Sequence, residues 1–268
     1  MPDSTDSNTI SPKAAPDIPS IRVGLFGLGR AGSEVAGQLA SDPQIALRWI
    51  IKNSESEPRV HVPTNCHIWS RQQMDTAHLL SEHPVDFIVD FSGPDACLDY
   101  APVAASKNIG IISAVSAYKP KHLTLLRKAG KHSVVMHSPN ITLGINFIMI
   151  AGKILRKLAP HAGVEIVEEH FKDKIEVSGT AIRLAKALDI DARKQVNSIR
   201  VGGIVGRHEI IFGFPFQTIR LIHDSISRAA FGQGALFALK QLAGRAPGFY
   251  TMEQLVTEAF SEALKEAI

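Results

Sequence analysis

Apolar positions along this chain follow two rhythms. Over residues 21–140, short apolar runs alternate with segments whose apolar residues recur every three or four positions. IRVGLFG (residues 21–27) is a buried-strand run closed by glycine, and SEVAGQLASD after it puts Val35, Ala36, Leu39 and Ala40 on one helical face. IALRWII (45–51), VDFIVDFS (85–92), IGIIS (109–113) and SVVMHS (133–138) are further strand runs. PDACLDYAPVAASK and PKHLTLLRKAGK, which separate the last three, are helical patterns. Strands alternating with helices predict βαβ units, a parallel sheet and right-handed connections.

After Asn140 the rhythm changes. A long amphipathic helix over 143–158 precedes the strand GVEIVEEHF and a short helix, TAIRLAKAL. SIRVGGIVG, HEIIFGF and QTIRLIHD then alternate apolar and polar residues between Gly and Pro punctuation, which predicts antiparallel strands. Helical patterns return in SRAAFGQGALFALKQL and TMEQLVTEAFSEALKEA. The expected architecture is α/β: a Rossmann-type parallel sheet (residues 21–140 and 229–268) and a smaller α+β substrate and oligomerisation domain with a mixed sheet (141–228). Residues 1–20, rich in Ser, Asp and Pro, are expected to form a mobile tail.

Composition narrows the function classes. The 268 residues carry 29 Lys+Arg against 26 Asp+Glu, a net charge of +3. That is too small to argue for nucleic acid, although a mild positive field suits an anionic small molecule. No apolar stretch approaches the roughly 18 residues of a membrane span. Cys66 and Cys97 sit in no metal-ligand spacing and make no disulfide framework, so no metal and a reducing, cytoplasmic setting are expected.

Gly27-Leu28-Gly29-Arg30-Ala31-Gly32 follows a predicted strand and opens a predicted helix. In that context GxGxxG is a dinucleotide signature. The first glycine allows the tight turn, the second lets backbone approach a pyrophosphate, and the third lets helix and strand pack closely. An NAD-specific site places an acid about 20 residues past the glycines. Here Ile50-Ile51-Lys52-Asn53 offers a lysine, which attracts a 2′-phosphate, so NADPH is expected, with NADH the alternative.

The segment Glu168-Glu169-His170-Phe171-Lys172-Asp173-Lys174-Ile175-Glu176-Val177-Ser178-Gly179-Thr180-Ala181 joins a strand end to a helix start. His170 is a candidate proton donor. Lys174 is a point charge for a carboxylate. Ser178, Gly179 and Thr180 at a helix N-terminus offer N–H groups to an anion.

These residues resemble the dihydrodipicolinate reductase family (4-hydroxy-tetrahydrodipicolinate reductases), whose signature runs roughly E-x-H-H-x-x-K-x-D-A-P-S-G-T-A. Asp90-Phe91-Ser92 with Pro94, Ser138-Pro139-Asn140 to Asn146, Gly203-Ile204-Val205-Gly206 with His208, and His223 to Arg228 are similar to family blocks in the same order. The resemblance implies reduction of 4-hydroxy-tetrahydrodipicolinate to tetrahydrodipicolinate, in lysine and diaminopimelate biosynthesis, by an enzyme that is usually a homotetramer. It implies His170 as catalytic acid, Lys174 as substrate-binding and assisting lysine, and Ser178, Gly179 and Thr180 as the carboxylate cradle. Ser113, Ala114 and Val115, together with Ser138, Pro139, Asn140 and Ile141, would border the cofactor, and Arg228 would touch cofactor or substrate at the domain junction.

The chain departs from the family at four points. Phe171 stands where a second histidine would bond substrate. Glu176-Val177 is one residue shorter than Asp-Ala-Pro. Ser113-Ala114-Val115-Ser116 replaces a Gly-Thr-Thr-Gly turn, and the glycine loop is one residue shorter. Three readings therefore stay open: the family reaction, a paralogous reductase of another cyclic imine, enamine or unsaturated acid, and a non-catalytic dinucleotide-binding protein.

Overall fold

The computed structural model describes residues 20–53 and 64–267, so the expected tail, apart from Ser20, lies outside the described residues. In chain order the first half comprises β1 (Ile21–Phe26), α1 (Arg30–Ser41), β2 (Ile45–Lys52), β3 (His67–Ser70), α2 (Thr76–Glu82), β4 (Phe87–Asp90), α3 (Ala96–Ser106), β5 (Gly110–Ser113), α4 (Pro120–Ala129) and β6 (Val134–His137). The second half comprises α5 (Leu143–Leu158), β7 (Gly163–His170), α6 (Gly179–Ala187), α7 (Ala192–Gln195), β8 (Val196–Arg200), β9 (Arg207–Gly213), β10 (Thr218–Asp224), α8 (Ala229–Leu242), β11 (Gly248–Tyr250) and α9 (Met252–Ala267).

Seven strands, in the order β11-β6-β5-β4-β1-β2-β3, form one parallel sheet. The strands read as continuous apolar runs because both faces are covered. One face packs Val23, Leu25, Val89 and Ile112 against α1, α8 and α9, and the other packs Phe26, Trp49, Ile88 and Ile111 against the helices opposite. Helix starts are locally encoded. Asp75 caps α2 through the N–H of His78 (2.8 Å), and Pro120 opens α4, where its missing N–H costs no bond.

A separate mixed sheet has the order β10-β9-β7-β8. β9 pairs antiparallel with β7 and β10, as the alternation predicts. β8 does not: it runs parallel to β7. The correction has a topological cause. The chain leaves β7 through α6 and α7 and returns by a crossover, which a parallel pair requires. Only Val196–Arg200 of that region is strand, and residues 201–206 form the loop beyond it. The inner face buries Val164, Ile166, Ile210 and Phe212 against α5 and α6.

After the small sheet the chain returns to the large one. β11 adds beside β6, and α8 packs so closely on the 141–142 turn that a side chain at Gly234 would overlap the Ile141 carbonyl. Strand order reverses at β1, between β4 and β2, so a crevice opens at the carboxyl ends of β1 and β4.

Candidate active site

The glycine loop sits at that reversal. Gly27 has φ +99°, a conformation L side chains rarely adopt, and a Cβ there would stand 2.7 Å from the Phe91 backbone. A Cβ on Gly32 would overlap the Gly27 carbonyl. Gly29, the N-cap of α1, faces open space and supplies no capping side chain, so the first turn of α1 presents bare N–H groups. Leu28 packs on the core beneath, and Arg30 and Ala31 begin the helix. Lys52 ends β2 beside the turn, where the Gly27 N–H donates to the Ile51 carbonyl (2.8 Å).

A cleft of about 310 Å³ continues from this turn, lined by Ala31, Phe91, Ala114, Val115, Pro139, Ile141 and Phe231 among others. A larger hollow of about 600 Å³ opens at the opposite, amino-terminal ends of the strands, beside Arg22 and Asp86, far from the glycines. The cleft floor is braced by the fully buried Asp90. It accepts from Ser92 N–H (2.8 Å), Ser92 Oγ (2.6 Å), Tyr100 (2.7 Å) and Tyr118 (3.2 Å), while burial raises its pKa against those bonds. Ser113 is also spent inside, with Oγ 2.9 Å from the Tyr118 hydroxyl, so Ala114 and Val115 rather than Ser113 reach the cleft. The His137 ring holds the Val115 carbonyl at 2.9 Å, fixing a turn that lacks glycines.

In the small sheet, β7 ends at His170, which is 9% exposed. Alternation along the strand puts Glu168 on the same inward face as His170. The Glu168 side chain is fully buried. Its Oε1 accepts from Arg200 Nη2 (2.6 Å), Ser198 Oγ (2.6 Å) and Ser178 N–H (3.2 Å), and its Oε2 lies 2.9 Å from Arg200 Nη1 and 2.5 Å from His170 Nδ1. Burial alone would raise its pKa, but these donors reverse that and hold it at about 2. For His170, burial pulls the pKa down, Glu168 pushes it up, and Lys174 and Arg200 oppose Glu168; the net shift is downward.

Arg200 also donates to the carbonyls of Lys174 (2.8 Å) and Glu176 (2.9 Å). It thereby sets the path of the shortened loop from Phe171 to Val177. Phe171 is 43% exposed at its start, and Lys174 is half-buried. Ser178 caps α6 by accepting from Thr180 N–H (3.2 Å) and lies 2.9 Å from His208 Nε2. Burial drives the His208 pKa down to about 4, so its ring is neutral. Gly179 leaves the helix start open.

Asn140 joins the two sides. Its Oδ1 accepts from Thr180 Oγ1 (3.0 Å) and Arg183 Nη2 (2.9 Å), and its carbonyl accepts from Ser138 Oγ (2.8 Å) and Asn146 Nδ2 (2.8 Å). The structure thus gathers His170, Lys174, Ser178, Gly179, Thr180 and Asn140. Arg228 is not gathered: it is exposed at the start of α8, three residues before the cleft-lining Phe231. Sequence reasoning missed Glu168, Ser198, Arg200 and Arg183 as site residues. One signal for Glu168 was present, an acid in phase with the apolar inward face of its strand, which must be paired if buried.

The comparisons with known proteins decide the family. Profiles of the dihydrodipicolinate reductase N-terminus and C-terminus match residues 21–141 and 141–256. The chain belongs to the dihydrodipicolinate reductase family. It is 34% identical over 188 residues to a 4-hydroxy-tetrahydrodipicolinate reductase of Thermosipho africanus, covering 70% of this chain and 86% of that protein. It is 33% identical over 192 residues to one of Caldanaerobacter subterraneus subsp. tengcongensis, covering 64% and 76%. A dipicolinate-bound dihydrodipicolinate reductase from Paenisporosarcina sp. TG-14 shares the fold at TM-score 0.72 and 18% identity, covering 87% of this chain and 97% of that one. Membership in this reductase family supports a pyridine nucleotide as cofactor, and the bare α1 start with its two sterically required glycines fits one. Among the described residues, no helix is long and apolar enough to cross a membrane, and no cluster of His, Cys, Asp or Glu could hold a metal.

Proposed function

We propose that this dihydrodipicolinate reductase family member reduces 4-hydroxy-tetrahydrodipicolinate to tetrahydrodipicolinate in the route to diaminopimelate and lysine, with NADPH preferred over NADH. The observation that carries the reading is His170, bonded to a buried carboxylate, beside an open helix start that is tied through Thr180 to Asn140, between the cleft-lining Pro139 and Ile141. The nicotinamide, when bound, supplies a hydride. The chain's residues do the rest. Gly27, Gly29 and Gly32, with the N–H groups of Arg30 and Ala31, hold the pyrophosphate, and Lys52 takes the 2′-phosphate. Ala114, Val115, Pro139 and Ile141 exclude water from the nicotinamide end of the cleft. Lys174 and the open N–H of Gly179 hold the substrate's carboxylates, beside Thr180, whose N–H the Ser178 cap already engages. Loss of the 4-hydroxyl as water turns the substrate into a conjugated imine; hydride addition to it leaves an enamine whose carbon needs a proton, and His170 delivers it.

Residues 21–140 with 229–268 form the cofactor unit in this reading, and 141–228 the substrate unit. The outer face of the small sheet carries Ile199 and Ile222, both more than 40% exposed, beside the Arg207–Glu169–Glu209–Arg220 charge network. An apolar and charged face without a covering helix fits assembly into a homotetramer, and light scattering that shows a monomer at micromolar concentration would refute it.

The test of function is NAD(P)H oxidation with the synthase-coupled substrate, beside a panel of cyclic imines. Turnover of the coupled substrate, with kcat reduced about 10²–10⁴-fold in His170→Gln and cofactor affinity unchanged, is expected. A second reading, a different and more apolar imine, is favoured by the exposed ring of Phe171; turnover of another imine alone would select it. Full activity of His170→Gln would sink the assignment of the acid.

A further inference from the structure

We infer that Glu168 is a positioning residue that dedicates Nε2 of His170 to proton transfer, and that position 206 is glycine because a side chain there would cover that atom. This rests on the reading of His170 as the acid.

An ionised carboxylate accepts hydrogen bonds and donates none. Glu168 is fully buried, salt-bridged in two-pronged fashion by Arg200 and further bonded by Ser198 and Ser178. It is therefore ionised throughout the working pH range, and its 2.5 Å partner, His170 Nδ1, must carry a hydrogen. One nitrogen is fixed as donor to the protein. In the neutral ring the other, Nε2, is a bare acceptor; in the imidazolium it holds the mobile proton.

Nε2 lies against Gly206. A Cβ built on Gly206 would stand 3.1 Å from Nε2, closer than ordinary contact. The Gly206 carbonyl accepts from Ser225 N–H (2.8 Å), which pins the glycine in place. Neighbouring groups act on the same ring. His208 approaches edge-on with ring centroids 5.3 Å apart, and Lys174 and Arg200 bring positive charge. An anion bound beside Lys174 offsets that charge and favours the imidazolium. The substrate's own carboxylates then load the proton that His170 delivers, and the charge left behind is balanced by Glu168. The same carboxylate receives the N–H of Ser178, so it ties the proton donor to the anion cradle.

The experiment is ¹⁵N NMR of the imidazoles in the intact protein, with steady-state kinetics on the coupled substrate. In wild type, the neutral His170 ring should carry hydrogen on Nδ1; hydrogen on Nε2 would overturn the inference without any variant. Glu168→Gln retains an acceptor for Arg200 but presents an amide N–H to the ring. It should invert the tautomer and lower kcat on the order of 10²-fold or more, with KM for cofactor unchanged. Gly206→Ala should lower kcat with the tautomer unchanged. The kcat profile should lose activity at higher pH than kcat/KM, because the bound anion raises the pKa of the acid. If His170→Gln is inactive while Glu168→Gln and Gly206→Ala match wild type, this inference fails alone. If His170→Gln is fully active, the assignment of the acid fails and takes this with it.

Discussion

The glycine loop and the His170 loop both end parallel-paired strands and are linked through Asn140, yet they are made of different materials. The glycine-loop side is backbone: two glycines that admit no Cβ, bare N–H groups at α1, and apolar walls. The His170 side is a lattice of charged side chains centred on one buried carboxylate. A site made of backbone is sensitive to shape and indifferent to pH. A site made of paired charges tolerates some changes of shape but depends on the protonation state of every member. Their buried acids respond oppositely to their surroundings: burial raises the pKa of Asp90, while cationic and hydroxyl donors lower that of Glu168.

The largest expected effect breaks the backbone side. Gly32→Val drives a side chain into the Gly27 carbonyl and should abolish NADPH binding in a fluorescence titration, with hydrogen exchange of the four-stranded sheet unchanged. Next, Lys174→Ala removes a charge from the His170 loop. kcat/KM should fall on the order of 10²-fold, with both a lower kcat and a higher KM, because ground-state and transition-state contacts are lost together. A change in KM alone would reduce Lys174 to a binding residue.

Acid should separate the two regions. Glu168 has a folded pKa of about 2 against an ordinary 4.5, so its contribution to stability is present above 4.5 and lost as pH falls toward 2. His208, at about 4 against 6.5, contributes above 6.5 and loses that contribution as pH falls toward 4. Asp90, with a raised pKa, has the opposite sign: its contribution is present in acid and lost as pH rises through the folded value. Hydrogen exchange near pH 4, where both contributions are being lost, should therefore show β7, β8 and β9 opening before β4 and β5, and simultaneous opening would contradict the comparison. The smallest effect concerns Lys52. Lys52→Glu should weaken NADPH more than NADH by about 1–3 kcal/mol, and equal losses would remove Lys52 from the 2′-phosphate site.

The sequence was most legible where function depends on local order. The alternation of apolar runs foretold the parallel sheet, and the two loops stood out as contiguous motifs. β3 and α2 went unread because both are short and mixed in polarity, and β11 is three residues whose pairing exists only because β6 lies beside it. The direction of β8 depends on the crossover before it, not on its own alternation. The Glu168 cluster is illegible for a related reason. Arg200 and Ser198 lie 32 and 30 positions away, and only the pairing of β8 with β7 brings them to the carboxylate.

The return of the chain to its first sheet has a consequence for how the molecule is made. α1 emerges early from the ribosome with Val35, Ala36 and Leu39 ready for burial, but the helix that covers part of that surface, α8, is translated only after the whole four-stranded sheet. At ~5–20 residues per second, the wait is roughly ten to forty seconds. The small sheet is contiguous in the chain and is complete before α8 appears. The nascent large sheet must meanwhile stand with one flank uncovered until α8 docks on the 141–142 turn at Gly234, with β11 and α9 still to follow. Phe231 of α8 lines the cleft beside the glycine turn, so that wall is completed only after the whole small sheet has been made.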